Sequence, residues 1–397
     1  MRVMMLTWDF PPQATGGTAS HVTGLATALS AAGHEVVVVT VDHPRADRIA
    51  DADGPVRVFR ADADLPWIAR ERRIARVASA NHALVKLADV VEQELDCWFP
   101  DVVHGHDWTV GWAGDALASK YDVPFVLTMH GTESVRHGGN LPPGEPTDIA
   151  SIEWWLAFQA DRLIAPSRFV ADQLVESFEL SPEFIDRVPN GIDPAAWAGD
   201  DHSPDHEPLV VSWGRVQYEK GFQVLARAMS TVRGRVPEVR AVIGGRGSYL
   251  PELQTQIDVE GVSDIVELTG FLRDHELRAL VHRAGVVVIP SLYEPFGIVA
   301  LEALAAGAPL VVARTGGLAE LVAGNRAALT FEPGDADDLA RCIELVLGDA
   351  ELRGDLVANA RRLVERDYAW RSIAAATVEC YGRALRQRLT PVPDGTG

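Results

Sequence analysis

Hydrophobic positions along the chain alternate between short continuous runs and longer stretches with helical spacing. This alternation is typical of parallel β-sheets that are wrapped by helices. Because the short runs are almost entirely apolar, they indicate strands that are covered on both faces. Twelve strands are predicted, at 2–8, 35–41, 56–59, 101–106, 125–130, 162–167, 209–215, 239–245, 265–270, 286–291, 310–314 and 328–333.

One polar segment divides this pattern into two halves of six strands each. Residues 188–208 (VPNGIDPAAWAGDDHSPDHEP) are rich in Pro, Gly and Asp, as linkers are. A chain of 397 residues is also too long for one ordinary core. We therefore predict an α/β protein with two Rossmann-like domains, 1–190 and 191–367, and a C-terminal segment, 368–397, whose amphipathic helix packs back on the first domain. Since ligands bind beyond the carboxyl ends of such strands, we expect a cleft between two facing domains.

Composition narrows the range of partners. The net charge of −20 argues against nucleic acid and anionic membrane surfaces. The three cysteines, Cys97, Cys342 and Cys380, are scattered and suggest neither a disulfide framework nor a zinc site. No apolar run approaches the roughly 20 residues that a membrane span needs, and the N-terminus has no signal-peptide pattern. We expect a cytoplasmic protein, and leave monomer and homodimer both open.

A local positive cluster stands out in this acidic chain. Only three of its 36 basic residues are lysines, and one of them, Lys220, follows a predicted strand in SWGRVQYEKG together with Arg215. The guanidinium offers a fork for bidentate phosphate contact and the ammonium offers a compact charge. We interpret the pair as a phosphate-binding loop; a merely solvated loop is the alternative.

Two glutamates lie in the apolar stretch SLYEPFGIVALEALAAG, residues 291–307. Glu294 falls in a strand-to-helix loop and Glu302 in the second turn of a helix that begins at Gly297. The amides of 296–298 at the helix N-terminus attract anions. Carboxylates beside a bound diphosphate are expected to bind hydroxyl groups, which a sugar nucleotide supplies at both ends. The alternative is that Glu294 caps the helix and that Glu302 occupies a surface position on it.

A glycine pair follows the first predicted strand, in WDFPPQATGG. Gly16 and Gly17 precede a helical pattern that ends near Gly33, a plausible C-cap. Glycines at a helix N-terminus let backbone amides approach an anion closely. An ordinary tight turn explains the pair equally well.

Polar residues end two further strands, in DVVHGHDW and FVLTMHGTE. They are His104, His106, Asp107, His130 and Glu133. Their donors and acceptors suit sugar hydroxyls. A metal site is disfavoured because the histidines are split over two strands without a helical His-x-x-x-His pair. For His104 we favour a purely structural role.

Taken together, these motifs resemble a known family. GRVQYEKG, EPFGIVALEALAAG, HGHDW, TGG and NGID occur in the order found in retaining glycosyltransferases of family 4 and the glycogen synthase group, and the resemblance covers nearly the whole chain. It implies the GT-B fold, with two facing Rossmann-like parallel-sheet domains and an inter-domain cleft. The chain looks most like actinobacterial α-glucosyltransferases that make glycogen, maltose 1-phosphate or methylglucose lipopolysaccharide.

The resemblance implies an activity and a role for each site residue. The enzyme would move glucose from ADP- or UDP-glucose to an α-1,4-glucan or related acceptor, with no cofactor and no metal. The acceptor would bind to the first domain and the nucleotide sugar to the second. The implied catalytic residues are Arg215 and Lys220 on the diphosphate, Glu294 on the transferred sugar, and Asp107 and His130 on the sugar from the N-terminal side. The implied donor-binding residues are Gly16, Gly17, Phe296, Gly297, Ile298, Glu302 at the ribose, and Gly270, Phe271 and Leu272 by the base. The implied acceptor-binding residues are Asp9, His106 and Glu133.

Several alternatives stay open or are weakened by the sequence. Ala14 stands where bacterial glycogen synthases carry lysine, so their strict ADP-glucose preference does not carry over. An α-mannosyltransferase using GDP-mannose and a nucleotide-sugar epimerase remain open. A dehydrogenase is disfavoured because GGRGS at 244–248 lacks the full dinucleotide fingerprint. A glucan phosphorylase needs a lysine that binds pyridoxal. Neither Lys86 nor Lys120 follows a strand end, so this class is disfavoured.

Overall fold

The computed structural model describes residues 1–12, 17–42, 47–51, 56–63, 68–69, 71–137, 140–199 and 207–389. The chain divides into two compact units. The first unit is made of two separate segments, Met1–Gly191 and Trp370–Gly397, and the second is the continuous segment Ile192–Ala369.

The first unit is built on an eight-stranded sheet. Its strands are β1 (Arg2–Thr7), β2 (Glu35–Val41), β3 (Ile49–Asp51), β4 (Arg57–Ala61), β5 (Val102–His106), β6 (Phe125–Thr128), β7 (Arg162–Ala165) and β8 (Ile185–Arg187). They lie in the order β3-β4-β2-β1-β5-β6-β7-β8. All neighbours are parallel except β3, which is antiparallel to β4. The carboxyl ends of β1, β5 and β6 therefore meet at one edge.

Helices cover both faces of this sheet. They are α1 (Gly17–Ala31), α2 (Arg73–Glu94), α3 (Gly111–Tyr121), α4 (Glu133–Arg136), α5 (Glu145–Gln159) and α6 (Arg168–Phe178). Successive residues of β1 point to opposite faces, so Met4 and Leu6 enter one buried cluster while Val3 and Met5 enter the other. This explains why the strand is apolar throughout rather than alternating.

The second unit has a six-stranded, fully parallel sheet. Its strands are β9 (Leu209–Trp213), β10 (Arg240–Gly244), β11 (Val266–Gly270), β12 (Val286–Ile289), β13 (Leu310–Ala313) and β14 (Leu329–Phe331), in the order β11-β10-β9-β12-β13-β14. Its helices are α7 (Pro194–Trp197), α8 (Phe222–Val232), α9 (Leu250–Val259), α10 (Asp274–Arg283), α11 (Ile298–Ala305), α12 (Gly316–Val322), α13 (Ala336–Gly348) and α14 (Ala350–Leu363). The strand order reverses between β9 and β12, and ligands of such sheets bind at this point.

The chain then returns to the first unit as helix α15 (Trp370–Leu389). The helix begins at Trp370 rather than at 368, because Val364–Tyr368 forms a π-helical turn that continues α14. The Trp370 indole lies against Gly24 and Gly191, where an added Cβ would overlap the ring. Tyr381, further along α15, is fully buried. Residues 390–397, expected as the end of the tail, lie outside the described part.

None of the helices in the described part of the chain combines the length and apolar character that crossing a bilayer requires.

Candidate functional site

An ion pair joins the two loops at the switch point of the second sheet. Lys220 ends a short 3₁₀ turn after β9, and its Nζ donates to Oε2 of Glu294, which follows β12, at 2.7 Å. Gly221 makes this approach possible. Its φ is +70°, and a Cβ there would overlap the carbonyl oxygen of Pro290. The loop after β9 can therefore pack directly on the end of β12.

The Glu294 carboxylate is buried, with 9% of the residue exposed. Besides Lys220, it accepts a hydrogen bond from the Ser291 hydroxyl at 3.3 Å. The N-cap position of α11 belongs to Gly297, and the cap has no side-chain hydrogen bond. Within the described residues the hydrogen bonds of the Glu294 carboxylate run to Lys220 and Ser291 and not to an amide of α11, so the carboxylate is held beside a cation at the end of the strands.

Glu302 lies in the second turn of α11, as predicted, but it is not a plain surface position. It is half-buried, and its Oε2 accepts a hydrogen bond from the indole Nε1 of Trp213 at 3.1 Å. Burial raises the pKa of Glu302 to about 7, and Asp274 raises it further, whereas the Trp213 hydrogen bond and Arg278 lower it. Sequence reasoning missed Trp213, although it stands at the carboxyl end of β9, where site residues are expected.

The other residues predicted for the donor side differ in exposure. Arg215 is exposed after β9, and within the described residues no ion pair or hydrogen bond of its side chain is found. Phe296 is buried and Ile298 is the first residue of α11. Gly270 ends β11 with φ of +70°, Phe271 is 64% exposed, and Leu272 is half-buried.

In the first unit, His104 has a structural role, as expected. It is fully buried, its Nδ1 is hydrogen-bonded to the Tyr381 hydroxyl and its Nε2 to the Thr128 hydroxyl, both at 2.7 Å. Burial lowers the pKa of this imidazole to about 3. With both ring nitrogens occupied, His104 links β5 and β6 to α15 and has no nitrogen left for a ligand.

Three other histidines form a cluster at the strand ends. His106 Nδ1 is hydrogen-bonded to His130 Nε2 at 3.2 Å, and the ring of His21 lies 5.4 Å from that of His106 and 4.9 Å from that of His130. Burial lowers the pKa of all three, so they are neutral at neutral pH. Sequence reasoning missed His21, which lies one turn into α1, four residues after Gly17.

The histidine cluster brings three imidazoles within reach of a common ligand. One nitrogen from each of His21, His106 and His130 lies within 4.8 Å of the others. A metal-bound imidazole normally donates its second N–H to an acceptor. His21 Nδ1 and His106 Nε2 are buried without a hydrogen-bond partner in the described part of the chain. Such nitrogens can accept a hydrogen bond from a hydroxyl group or serve as metal ligands, so the arrangement fits either.

Asp107 supports this cluster through the backbone. Its φ of +63° turns the chain sharply after β5, and its Oδ1 accepts the backbone N–H of His130 at 2.8 Å. Its own N–H donates to the Thr128 carbonyl at 2.8 Å. The Asp107 carboxylate therefore fixes the backbone of the His130 loop.

Glu133 and Glu153 form a second buried acidic feature. Glu153 Oε2 accepts the backbone N–H of Glu133 at 2.8 Å, and burial raises the pKa of Glu153 to about 8. Glu133 is itself buried, with Arg136 3.6 Å and His137 3.5 Å from its carboxylate oxygens. Sequence reasoning found Glu133 but not Glu153, which lies inside the apolar run of α5.

Two predicted residues lie in the loop after β1. Asp9 is half-buried, and its carbonyl accepts the Thr7 hydroxyl at 3.1 Å. Gly17 is the first residue of α1. Gly16 and Ala14 lie outside the described residues, so the phosphate-binding and tight-turn interpretations of the glycine pair both stay predictions.

Comparison with known proteins shows the family. Residues 15–196 match the family described as Glycosyltransferase Family 4, and residues 196–363 match Glycosyl transferases group 1. The chain is 36% identical to the glycogen synthase of Mycobacterium tuberculosis (strain ATCC 25618 / H37Rv), over 99% of this chain and 97% of the relative. It is 28% identical to the alpha-maltose-1-phosphate synthase of Mycolicibacterium smegmatis, over 96% and 99%.

A solved structure agrees at the level of the fold. The sucrose-phosphate synthase of Thermosynechococcus elongatus superposes with a TM-score of 0.81 at 23% identity, covering 96% of this chain and 98% of the other. The predicted GT-B class of two Rossmann-like parallel-sheet units is confirmed. The chain therefore belongs to the family 4, glycogen synthase-like group of GT-B glycosyltransferases, and it is a hexosyltransferase.

Proposed function

We propose that the enzyme transfers glucose, with retention of configuration, from ADP- or UDP-glucose to an α-1,4-glucan or a related acceptor such as glucose 1-phosphate. The observation that carries this proposal is the similarity to a glycogen synthase over essentially the whole of both chains. The similarity to an alpha-maltose-1-phosphate synthase supports glucose 1-phosphate as the second acceptor to test.

The loops after β9 and β12 are proposed to bind the donor diphosphate. Arg215 and Lys220 supply positive charge, and the backbone amides at the start of α11 supply N–H donors. Lys220 has three N–H donors, so it can hold Glu294 and a phosphate oxygen at the same time. The local cations offset the repulsion between an anionic donor and a chain of net charge −20.

The chemistry then follows from where the charges lie. As the bond to the sugar breaks, negative charge develops on the departing diphosphate, and Arg215, Lys220 and the helix N-terminus stabilise it. The diphosphate oxygen accepts the acceptor's proton, and the acceptor attacks from the same face of the sugar. Glu294 contacts the sugar as the ring gains positive character. No pair of carboxylates flanking the bond, as in glycosidases, is required.

Neutral imidazoles of the first unit are proposed to bind sugar hydroxyl groups. His106 and His130 can each donate or accept a hydrogen bond, depending on the tautomer. The unpartnered nitrogens of His21 and His106 are what a sugar hydroxyl would satisfy, since an orphaned buried polar atom is costly. Asp107 holds the His130 loop in place, and Asp9 and Glu133 are proposed at the acceptor end.

A donor and acceptor screen tests the proposed function. ADP-, UDP- and GDP-glucose and GDP-mannose are each offered with maltooligosaccharides, with glucose 1-phosphate and without acceptor, and the linkage and anomeric configuration of the product are determined by NMR. We expect α-1,4-linked glucose and no turnover without acceptor. Transfer from GDP-mannose alone would replace the proposal with an α-mannosyltransferase, and acceptor-independent sugar interconversion would replace it with an epimerase.

Light scattering decides between monomer and homodimer.

A further inference from the structure

Trp213 makes a specific contact with one oxygen of the Glu302 carboxylate. It is the last residue of β9 and is only 8% exposed, and its indole Nε1 donates to Oε2 of Glu302 at 3.1 Å. Indole nitrogen is a donor only, so this contact has a single polarity. The carboxylate is therefore always the acceptor in this contact, and the bond is strongest when the carboxylate is ionised.

A second tryptophan lies beside this indole. The rings of Trp197 and Trp213 lie 23° from parallel with their centroids 6.4 Å apart. The Arg278 guanidinium lies 5.6 Å from the centroid of Trp197, within cation–π range. Trp197 is itself buried, at 8% exposure. The Trp213 ring therefore has two neighbours that restrict it, the Trp197 ring and the carboxylate that accepts its N–H.

We propose that Trp213 is a positioning residue for the nucleotide ribose: by holding Oε2 of Glu302, it fixes the carboxylate plane and leaves Oε1 to accept the ribose hydroxyls. This inference rests on the ribose role given to Glu302 in the proposed function. Burial favours the protonated form of Glu302 and the indole hydrogen bond opposes it, so the contact also keeps more of the carboxylate in the accepting state.

The chain contains a matched control for this contact. Trp98, in the first unit, is 6% exposed, and its Nε1 donates to Oε2 of Glu35 at 3.0 Å. Trp98→Phe therefore removes the same kind of hydrogen bond from a similarly buried ring outside the second unit. Trp213→Phe keeps most of the buried ring and removes only the donor and part of the indole.

The test measures donor KM, kcat and the Kd of free nucleotide for Trp213→Phe, Trp98→Phe, Glu302→Gln and the Trp213→Phe/Glu302→Gln double variant. We expect Trp213→Phe to raise donor KM and nucleotide Kd by about tenfold, the scale for a hydrogen bond to a charged group, with kcat within about twofold. Trp98→Phe should change neither. Because Trp213 acts through Glu302, it should add little in the double variant.

The outcomes separate this inference from the function on which it rests. If Glu302→Gln weakens nucleotide binding but Trp213→Phe does not, or if the two effects simply add, the positioning role is wrong and the ribose role stands. If Glu302→Gln itself leaves nucleotide binding unchanged, the ribose role is wrong. Should Trp213→Phe fail to fold, Trp197→Phe loosens the stack while Trp213 keeps its donor; a smaller rise in nucleotide Kd supports the inference and an unchanged Kd overturns it.

Discussion

Lys220 Nζ and Glu294 Oε2 lie 2.7 Å apart, and their side chains are only 24% and 11% exposed. A pair this far removed from water depends on both partners, because loss of one leaves the other as an uncompensated buried charge. Lys220 therefore has two tasks in the proposed enzyme, one toward the donor and one toward the fold. Arg215, exposed on the same loop, has only the first.

Removing the two cations should separate these tasks. Lys220→Ala and Arg215→Ala should each lower kcat by on the order of 10² or more, because each removes a preorganised charge at the diphosphate. Only Lys220→Ala should also lower the free energy of unfolding, by about 2 kcal/mol. Kinetics and denaturant unfolding measure both quantities. The control is Lys120→Ala, whose ammonium pairs with Asp89 and Glu92 at the surface of the first unit; it should keep its kcat. Wild-type turnover in Arg215→Ala or Lys220→Ala would contradict the diphosphate role.

Replacing each of the two glutamates by glutamine should change a different kinetic constant. Glu294→Gln should mainly lower kcat, since its contact with the sugar strengthens as the ring gains positive charge. Glu302→Gln should mainly raise donor KM, because the ribose is remote from the bond that breaks. Steady-state kinetics at saturating acceptor distinguish the two, with the exposed Glu351→Gln of α14 as control. An unchanged kcat in Glu294→Gln would leave that carboxylate with a structural role only.

Donor affinity should depend on pH through Glu302. Its pKa of about 7 means that the carboxylate gains a proton as the pH falls through 7. One of its two oxygens then carries the proton and becomes a donor instead of an acceptor. Nucleotide Kd should therefore rise as the pH falls from 8 to 6. Two charged residues also act on this group: Asp274 raises the pKa of Glu302 and Arg278 lowers it. Titration calorimetry across this range checks the slope. Glu302→Gln should bind weakly with a flatter profile; a slope equal to that of the wild type would assign the titration to another group.

Activity should not require a divalent metal, because cationic side chains are proposed to face the diphosphate. Dialysis against EDTA is expected to leave the rate unchanged, and metal analysis of the purified protein provides a readout independent of activity. Loss of the rate with recovery on adding magnesium or manganese would overturn the mechanism. Recovery with zinc alone would instead point to His21, His106 and His130 as ligands.

Buried Glu153 should make the protein less stable at high pH. Its pKa is about 8 in the fold against an ordinary 4.5, mainly because it is buried. The hydrogen bond from the Glu133 backbone N–H and the charge of Arg136 oppose the rise, and the charges of Asp107 and Glu133 add to it. Between these values the folded state holds a proton that the unfolded state releases, so the free energy of unfolding falls as the pH rises. Glu153→Gln should flatten this slope in denaturant titrations from pH 5 to 8.5. The exposed Glu176→Gln of α6 should not change it; an unchanged slope in Glu153→Gln would show that another group controls it.

Local patterns were enough to predict most of the sheets. All twelve predicted strands are present, because continuous runs such as 35–41 are long and apolar. The strands that pattern analysis missed, Ile49–Asp51 and Ile185–Arg187, have three residues each and depend on pairing with a neighbour. Several predicted strands also ran too far at their carboxyl ends. In 162–167, for example, Ser167 leaves the strand to cap α6, where its side chain accepts the N–H of Val170.

The sequence predicted individual residues of the candidate site within single loops, but not the contacts between residues that are far apart in the chain. Glu294 and Lys220 are visible as charges in glycine-rich or apolar surroundings, but their ion pair joins residues 74 positions apart. Trp213 and Glu302 are separated by 89 positions, and Glu153 lies 20 residues from the amide that it holds. These partners are set by the order of the strands in the sheets and by helix packing, and no local spacing encodes them.

The discontinuous first unit has a consequence for the order in which the chain is completed on the ribosome. The second unit is one continuous segment whose ends meet, since the N–H of Ile192 donates to the carbonyl of Tyr368 at 2.9 Å. It can therefore fold as soon as residue 369 has emerged. The first unit is translated first, but at that point it still lacks two residues of α15. These are Tyr381, whose hydroxyl is hydrogen-bonded to His104, and Trp370, whose ring packs against Gly24. N-terminal domains usually fold first during translation, so here the earliest sequence reaches its native packing last.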